Sequence, residues 1–163
     1  MRITVSTSCF VPKPHTPFQW ESQISAGEYL RRVELLRSLL RSKSITYKWH
    51  SPEQGYIEAV LSRGDRRIGR VIEQAWRCGA RFDSWSESFS LERWLNAFVS
   101  CGIDPDYYVN RERRFDEILP WSVVSTGVSD EHLRRERDAS RAGETSPDCS
   151  EKCSGCGSFK CKM

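Results

Sequence analysis

Four of the seven cysteines crowd into the last fifteen positions, as Cys149, Cys153, Cys156 and Cys161. In a reducing compartment such a cluster reads as metal ligands before disulfides. Four thiolates make a closed site, and that site suits either a structural zinc or an iron–sulfur cluster. The small residues between them, Ser154, Gly155 and Gly157, let backbone amides turn toward the sulfurs and soften their charge. A segment this poor in apolar side chains cannot order itself by burial, so metal is its expected organiser. Cys9, Cys78 and Cys101 are scattered and form no pattern.

A second group is Arg63, Arg66 and Arg67 around Gly64-Asp65, at a helix start. Guanidinium groups beside exposed helix amides suit a phosphate or another anion. The same residues also fit a plain structural role, with Asp65 capping the helix and the arginines pairing with Glu58, Asp83 or Glu87. His50, Asp83 and Glu87 are a third group, able to line a pocket or to satisfy one another at an interface.

These groups must be positioned by a mainly helical body. Ile3, Val5 and Thr7 alternate with Thr4, Ser6 and Ser8, as in a strand, which runs into a loop stiffened by Pro12, Pro14 and Pro17. Ser25-Ala26-Gly27-Glu28 has the form of a capping box, before a helix with Leu30, Val33, Leu36 and Leu40 along one face. Ile45, Tyr47 and Trp49 mark a short strand. Ser51-Pro52 opens a helix through about Leu61, Asp65 is expected to cap the next, and a further helix spans Leu91 to Cys101 with Gly102 as its stop. The turn-rich run from Gly102 to Trp121 reads as irregular. A final helix from Ser129 to Ala142 has few apolar residues, chiefly Leu133, and belongs at the surface. Trp20, Trp76 and Trp94 are expected to pack inside this body. A lone strand leaves its backbone groups unpaired, so Ile3–Ser8 either pairs with Ile45–Trp49 or joins strands on other polypeptide.

Composition narrows the function. The chain has 163 residues, 38% hydrophobic, with a formal charge of +3, too small to argue for nucleic acid by itself. Only Lys13, Lys43, Lys48, Lys152, Lys160 and Lys162 of its 25 basic residues are lysine. No apolar run reaches bilayer-spanning length, and the first residues lack signal-peptide character, which gives a cytoplasmic expectation.

The segments "SCFVPKPHTPFQW", "KWHSPEQGYIEAVLSRGDRRIGRVIEQAW", "GARFDSWSE", "CGIDPDYYVNRER" and "LPWSVVSTGVS" resemble the C-terminal part of bacterial radical SAM proteins that carry an N-terminal cobalamin-binding domain. The resemblance implies an α/β protein, mostly helical. Residues 1–24 would be the last strand of a TIM-like β/α barrel and its Pro-rich loop, 25–142 a helical C-terminal extension, and 143–163 a Cys-rich metal-binding tail. It implies that Lys13, His15, Thr16 and Gln19 stand near the cofactor or substrate mouth, because active sites of such barrels lie beyond the carboxyl ends of the strands.

In that family a CxxxCxxC loop after the first barrel strand holds a 4Fe-4S cluster with one iron open to S-adenosylmethionine. Cys149-x3-Cys153-x2-Cys156 shares the bare spacing, but Gly155 stands where the family has an aromatic, and Cys161 offers a fourth thiolate. The cluster loop and the cobalamin domain are therefore expected on upstream polypeptide or a separate chain, and the fragment is not expected to be catalytic alone. The alternative is a stand-alone cysteine-metal module that binds a protein or RNA partner.

Overall fold

The computed structural model describes residues 1–158; residues 159–163, and with them Cys161, lie outside the described part. The fold is α/β, with a two-stranded parallel sheet and six helices among the described residues. No helix among the described residues is long and apolar enough to cross a membrane. The chain divides into two compact units, one formed by Met1–Val11 with Ser22–Arg111, the other by Pro12–Glu21 with the chain from Glu112 onward.

The first unit opens with a β-α-β element: β1 (Ile3–Thr7), α1 (Ala26–Leu39) and β2 (Ile45–Trp49). The strands run parallel in the register Ile3↔Ile45 through Thr7↔Trp49, the first of the two pairings expected from the sequence. Parallel strands require a crossover, and α1 is its helix. Tyr29 of α1 ties the crossover to the strand ends, its hydroxyl donating to the carbonyls of Thr7 and His50. On the opposite face Thr4, Ser6, Thr46 and Lys48 are all exposed. β1 was expected to be the final stave of its sheet; in the structure a further parallel strand, β2, follows it.

Four helices complete this unit: α2 (Pro52–Arg63), α3 (Ile68–Arg77), α4 (Leu91–Cys101) and the short α5 (Asp106–Val109). Serine side chains start α1, α2 and α4: Ser25 accepts from the Glu28 amide, Ser51 from Glu53 and Gln54, Ser90 from Arg93. Each satisfies a donor that the first helical turn leaves orphaned. Only half of the expected capping box forms, because the Glu28 carboxylate turns to Arg31 and Arg32. Gly102 ends α4 in the left-handed region at φ 64°, where a side chain would be strained.

α3 starts later than the sequence suggests. Asp65 does not cap it directly but accepts from the Arg67 amide one turn earlier, and the helix begins at Ile68. A Cβ on Gly64 would collide with the Ile68 side chain and the Val60 carbonyl, so only glycine lets α2 and α3 meet this closely. The core between these helices is apolar: Ala59, Val60, Val71, Phe98, Tyr108 and Val109 are buried. Each large side chain so enclosed contributes roughly 1.5–3 kcal/mol. Trp94 joins this core as expected; Trp76 does not, being 56% exposed with Arg81 over its ring. α5 replaces part of the expected irregular run, and its Tyr108 and Val109 pack inward.

The second unit has a smaller core of Trp20, Leu119 and Leu133, flanked by Phe115, Trp121 and Val128. Its helix α6 (Asp130–Arg141), capped by Ser129, buries Leu133 and also Arg137. The Phe115 ring stands edge-on to Trp20 at 5.0 Å. Arg134 and Arg137 lie over Phe115 at 5.0 and 4.8 Å, an arrangement that pairs cationic planes with electron-rich ring faces.

Candidate functional site

Of the residue groups singled out in the sequence, His50 and Asp83 are the pair the first unit brings to one concavity. His50 follows β2 directly, and its amide donates to Thr7 O at the end of β1. The residue therefore stands at the carboxyl edge of the parallel ribbon, where α/β proteins place ligands. α2 starts two residues later and turns Gln54, Ile57, Glu58, Leu61 and Ser62 along one flank, at the i, i+3, i+4 spacing of a helix face. The loop carrying Asp83 and Ser84, with Phe89 and Trp94, forms the other flank of a cleft of about 620 Å³. Its lining mixes the polar His50, Gln54, Glu58, Ser62, Asp83 and Ser84 with the apolar Ile57, Leu61, Phe89 and Trp94, and concave sites of this size commonly take small molecules.

Asp83 is the best-positioned polar group there. Its Oδ2 accepts from the Trp94 indole at 2.8 Å, and its backbone carbonyl accepts from Gln54 Nε2 at 3.2 Å. Its Oδ1 is buried, accepts no hydrogen bond and is ion-paired with Arg93 Nη1 at 3.9 Å. Glu87, the third expected member, is exposed and outside the cleft lining. Gln54, Glu58 and Phe89 were not picked out as pocket residues, because nothing in their spacing distinguishes them from ordinary helix and loop residues.

The three arginines differ in their surroundings. Arg63 is wholly buried at the end of α2, whereas Arg66 and Arg67 are exposed. Arg67 is engaged by Asp65 at 2.7 Å and lies over the Tyr108 ring, whose hydroxyl also donates to Asp65. The Arg67 hydrogen bonds hold the Asp65 carboxyl down at about 2 despite partial burial. This is a structural knot joining the α3 start to α5. Beside it, the Tyr56 hydroxyl donates to Asp106 at 2.5 Å, and burial together with that carboxylate pushes the phenol well above its ordinary range.

Lys13, His15, Thr16 and Gln19 fall in the second unit, on one tight turn. Thr16 Oγ1 donates to Lys13 O at 2.7 Å, and the His15 amide donates to Gln19 Oε1 at 3.0 Å, with His15 in the left-handed region at φ 57°. Gln19 is buried and its Oε1 also accepts from the Trp121 indole. His15 and Gln19 line a polar hollow of about 300 Å³ with Trp20, Phe115 and Arg134. The turn is thus built by its own side chains, with Gln19 as its anchor.

Of the tail cysteines, Cys149 and Cys153 are exposed and Cys156 is half-buried; all three are free thiols. Cys156 O accepts from the Ser129 amide, and Ser154 O accepts from Arg135, so the tail is fastened to the start of α6 by its backbone. Among the described residues no three His, Cys, Asp or Glu side chains come close enough to hold a metal. The donor chemistry suits zinc or iron–sulfur, but the described thiols are not gathered into a ligand set.

The chain is similar to an uncharacterized protein of Methanocaldococcus jannaschii, at 18% identity over 102 residues, covering 63% of this chain and 22% of that protein. The chain therefore spans about a fifth of the length of the curated relative it matches. No protein-family model and no solved structure matches it.

Proposed function

We propose that this chain forms the C-terminal part of a cobalamin-binding radical SAM enzyme, supplying the closing β-α-β element of its barrel, the helical extension beyond it and a cysteine tail. The observation that carries this reading is the ribbon β1–β2. Parallel sheets are normally covered on both faces and contain more than two strands. Here one face is crossed by α1 and the other, Thr4, Ser6, Thr46 and Lys48, lies open. Ile3, at the start of the ribbon, is 43% exposed, and Leu30, Leu35 and Leu39 of α1 are exposed as well. In the proposed enzyme the open polar face looks into the barrel and β2 is the later stave. The cleft at His50 then opens on the barrel's carboxyl face, where β/α barrels carry their chemistry. The motif resemblance around Pro12–Pro17 and in SRGDRR and FDSWSE supports the same assignment.

On this reading the open-iron cluster, S-adenosylmethionine and cobalamin belong to the barrel and cobalamin domain on other polypeptide, and this chain does no radical chemistry alone. The tail cysteines Cys149, Cys153, Cys156 and Cys161 take up a separate zinc or iron–sulfur cluster, whose binding would draw the thiols together. The test is to determine the coding sequence adjoining this reading frame and to co-express its product anaerobically with the chain. The reading predicts a strand-rich polypeptide with CxxxCxxC, and reductive formation of 5′-deoxyadenosine from S-adenosylmethionine by the pair. Metal analysis of oxygen-free protein should give about one zinc or one cluster per chain, lost in the quadruple Cys→Ser variant. An adjoining frame without such a product, together with no deoxyadenosine from the chain and its neighbours, overturns the assignment.

A further inference from the structure

From the end of α3 and the turn that follows it we infer a docking surface for a single-stranded RNA segment, held through its bases and its phosphates. The surface lies within the first unit and calls on neither the barrel nor the metal tail, so the inference and the enzyme reading can fail separately. Three large rings stand open there: Trp76, 56% exposed, Phe82, 76%, and Trp85, 63%. They share one place in the fold. The Arg81 guanidinium lies over the Trp76 ring at 5.8 Å, Phe82 is the next residue, and its carbonyl accepts from the Trp85 amide at 2.9 Å. Phe82 has φ 58°. A bulky residue rarely adopts this conformation, and such outliers cluster at ligand-binding and switch loops.

The charge around these rings selects a polyanion. α3 turns Ile68, Val71 and Ala75 to the core, which leaves Arg66, Arg70 and Arg77 exposed on its outer side with Trp76. Arg77 is engaged by Glu73 and Arg67 by Asp65. Arg66, Arg70 and Arg81 have no carboxylate partner among the described residues. Of the acids between residues 66 and 87, Glu73 is thus taken and Asp83 is turned inward to Trp94 and Arg93. Glu87 alone stands against three guanidinium groups without ion pairs. An acidic peptide would match that charge but not the rings. Exposed aromatic planes, one with a guanidinium stacked on it, suit the flat base that every nucleotide carries beside its phosphate. A duplex keeps its bases stacked on one another. RNA is the nucleic acid that ordinarily offers unstacked bases, in loops, bulges and ends.

The test is fluorescence anisotropy of the full chain with a labelled oligouridylate, longer than the roughly 4–16 nucleotides that such a surface covers. Its duplex with oligoadenylate and inorganic polyphosphate serve as competitors. The single strand should bind saturably in the micromolar range at low salt, and both competitors should displace it poorly. Trp76→Ala, and Phe82→Asn, which tolerates the positive φ, should each weaken binding about tenfold, the loss of one stacked base. Arg70→Gln with Arg81→Gln should flatten the slope of log K against log salt by about 1.4, for two phosphate contacts at about 0.7 each. All four side chains are exposed, so the variants should melt like wild type; should Phe82→Asn fail to fold, Trp76→Ala decides. Arg31→Gln, on α1, should bind like wild type. No saturable binding, displacement by polyphosphate or duplex as effective as by free single strand, or wild-type affinity in the ring variants overturns the inference. So does capture of the adjoining frame's product on this face by a chain that binds no oligouridylate.

Discussion

The two units bury themselves by different chemistry. The first closes mainly over Val60, Val71, Phe98 and Val109, one apolar side chain from each of α2 to α5, although Arg63 is buried there too. The second has only Trp20, Leu119 and Leu133 at its centre and completes itself with charge. There Arg137, 5% exposed, donates to Glu21 and Glu112 at 2.5 Å while stacking on Phe115, and Arg141 joins both carboxylates. Apolar burial is non-directional and tolerant of solution conditions; an ion network around one buried arginine, with partly exposed partners, is directional and weakens when a member loses its partner or its charge. The contrast predicts that the units respond differently to truncation, to lost charge and to acid.

The largest effect should come from the first unit's core. Phe98→Ala removes a ring that is 1% exposed and should cost about 3–5 kcal/mol. Chemical denaturation followed by methyl resonances of α2 and α4 measures it; a loss below 1 kcal/mol would mean the core is not packed as described. In the second unit, Arg137→Met keeps the contact with Phe115 but leaves Glu21 and Glu112 without their central cation. Because those carboxylates are 24% and 56% exposed, the expected cost is reduced to about 1–3 kcal/mol. Adding Glu21→Leu to Arg137→Met should recover a good part of it, as replacement of both partners of an ion pair often does; no recovery would show that packing, not charge, is what Arg137 provides.

Acid should separate the units more gently. Burial alone would raise the Glu21 carboxyl, but the hydrogen bonds from Arg137 and Arg141 outweigh it and hold it below its ordinary 4.5. A folded value below the unfolded one means that the unfolded chain takes up the proton first. The stabilisation is therefore complete above about 4.5 and fades as pH falls through the lower folded value. In the first unit Asp65 follows the same sign, from 3.8 toward about 2. The Glu21 contribution should thus begin to fade as pH falls below about 4.5 and that of Asp65 below about 3.8, each being about 1 kcal/mol or less because Arg141 and Arg67 are largely exposed. Melting at pH 3 with Glu21→Gln as control checks this, since the variant should lose its part of the acid dependence. The smallest effect belongs to Glu28→Gln. Although Arg31 and Arg32 hold that carboxyl at about 2, the pair is solvent-exposed, and the melting temperature should not move measurably.

What could be read from the sequence was local. Ser25, Ser51 and Ser129 announce helix starts because a cap depends only on its own turn, and Gly102 announces a stop for the same reason. The parallel pairing of Ile3–Thr7 with Ile45–Trp49 was one of two options; choosing between them requires a crossover length and packing that alternation does not encode. His50 and Asp83 were legible as chemistry-bearing residues, but their partners Gln54 and Phe89 look like any helix and loop residues until α2 and the 83–89 loop face each other. Trp76 misled because hydrophobicity predicts burial only when a neighbour covers that face of the helix. Arg137 was hidden by its surroundings, one arginine among several on a charged helix, and its burial depends on Glu21 far away in sequence.

The account rests most heavily on β1 and β2 being part of an unfinished sheet. Native-state amide hydrogen exchange of the isolated chain tests this directly. The strand amides of Ile3–Thr7 and Ile45–Trp49 should exchange many times faster than those of α2 and α4, whose side chains form the apolar core. Protection of both strands equal to that of the α4 amides would mean that the ribbon is complete in itself, and would contradict the proposed place of this chain at the end of a larger barrel.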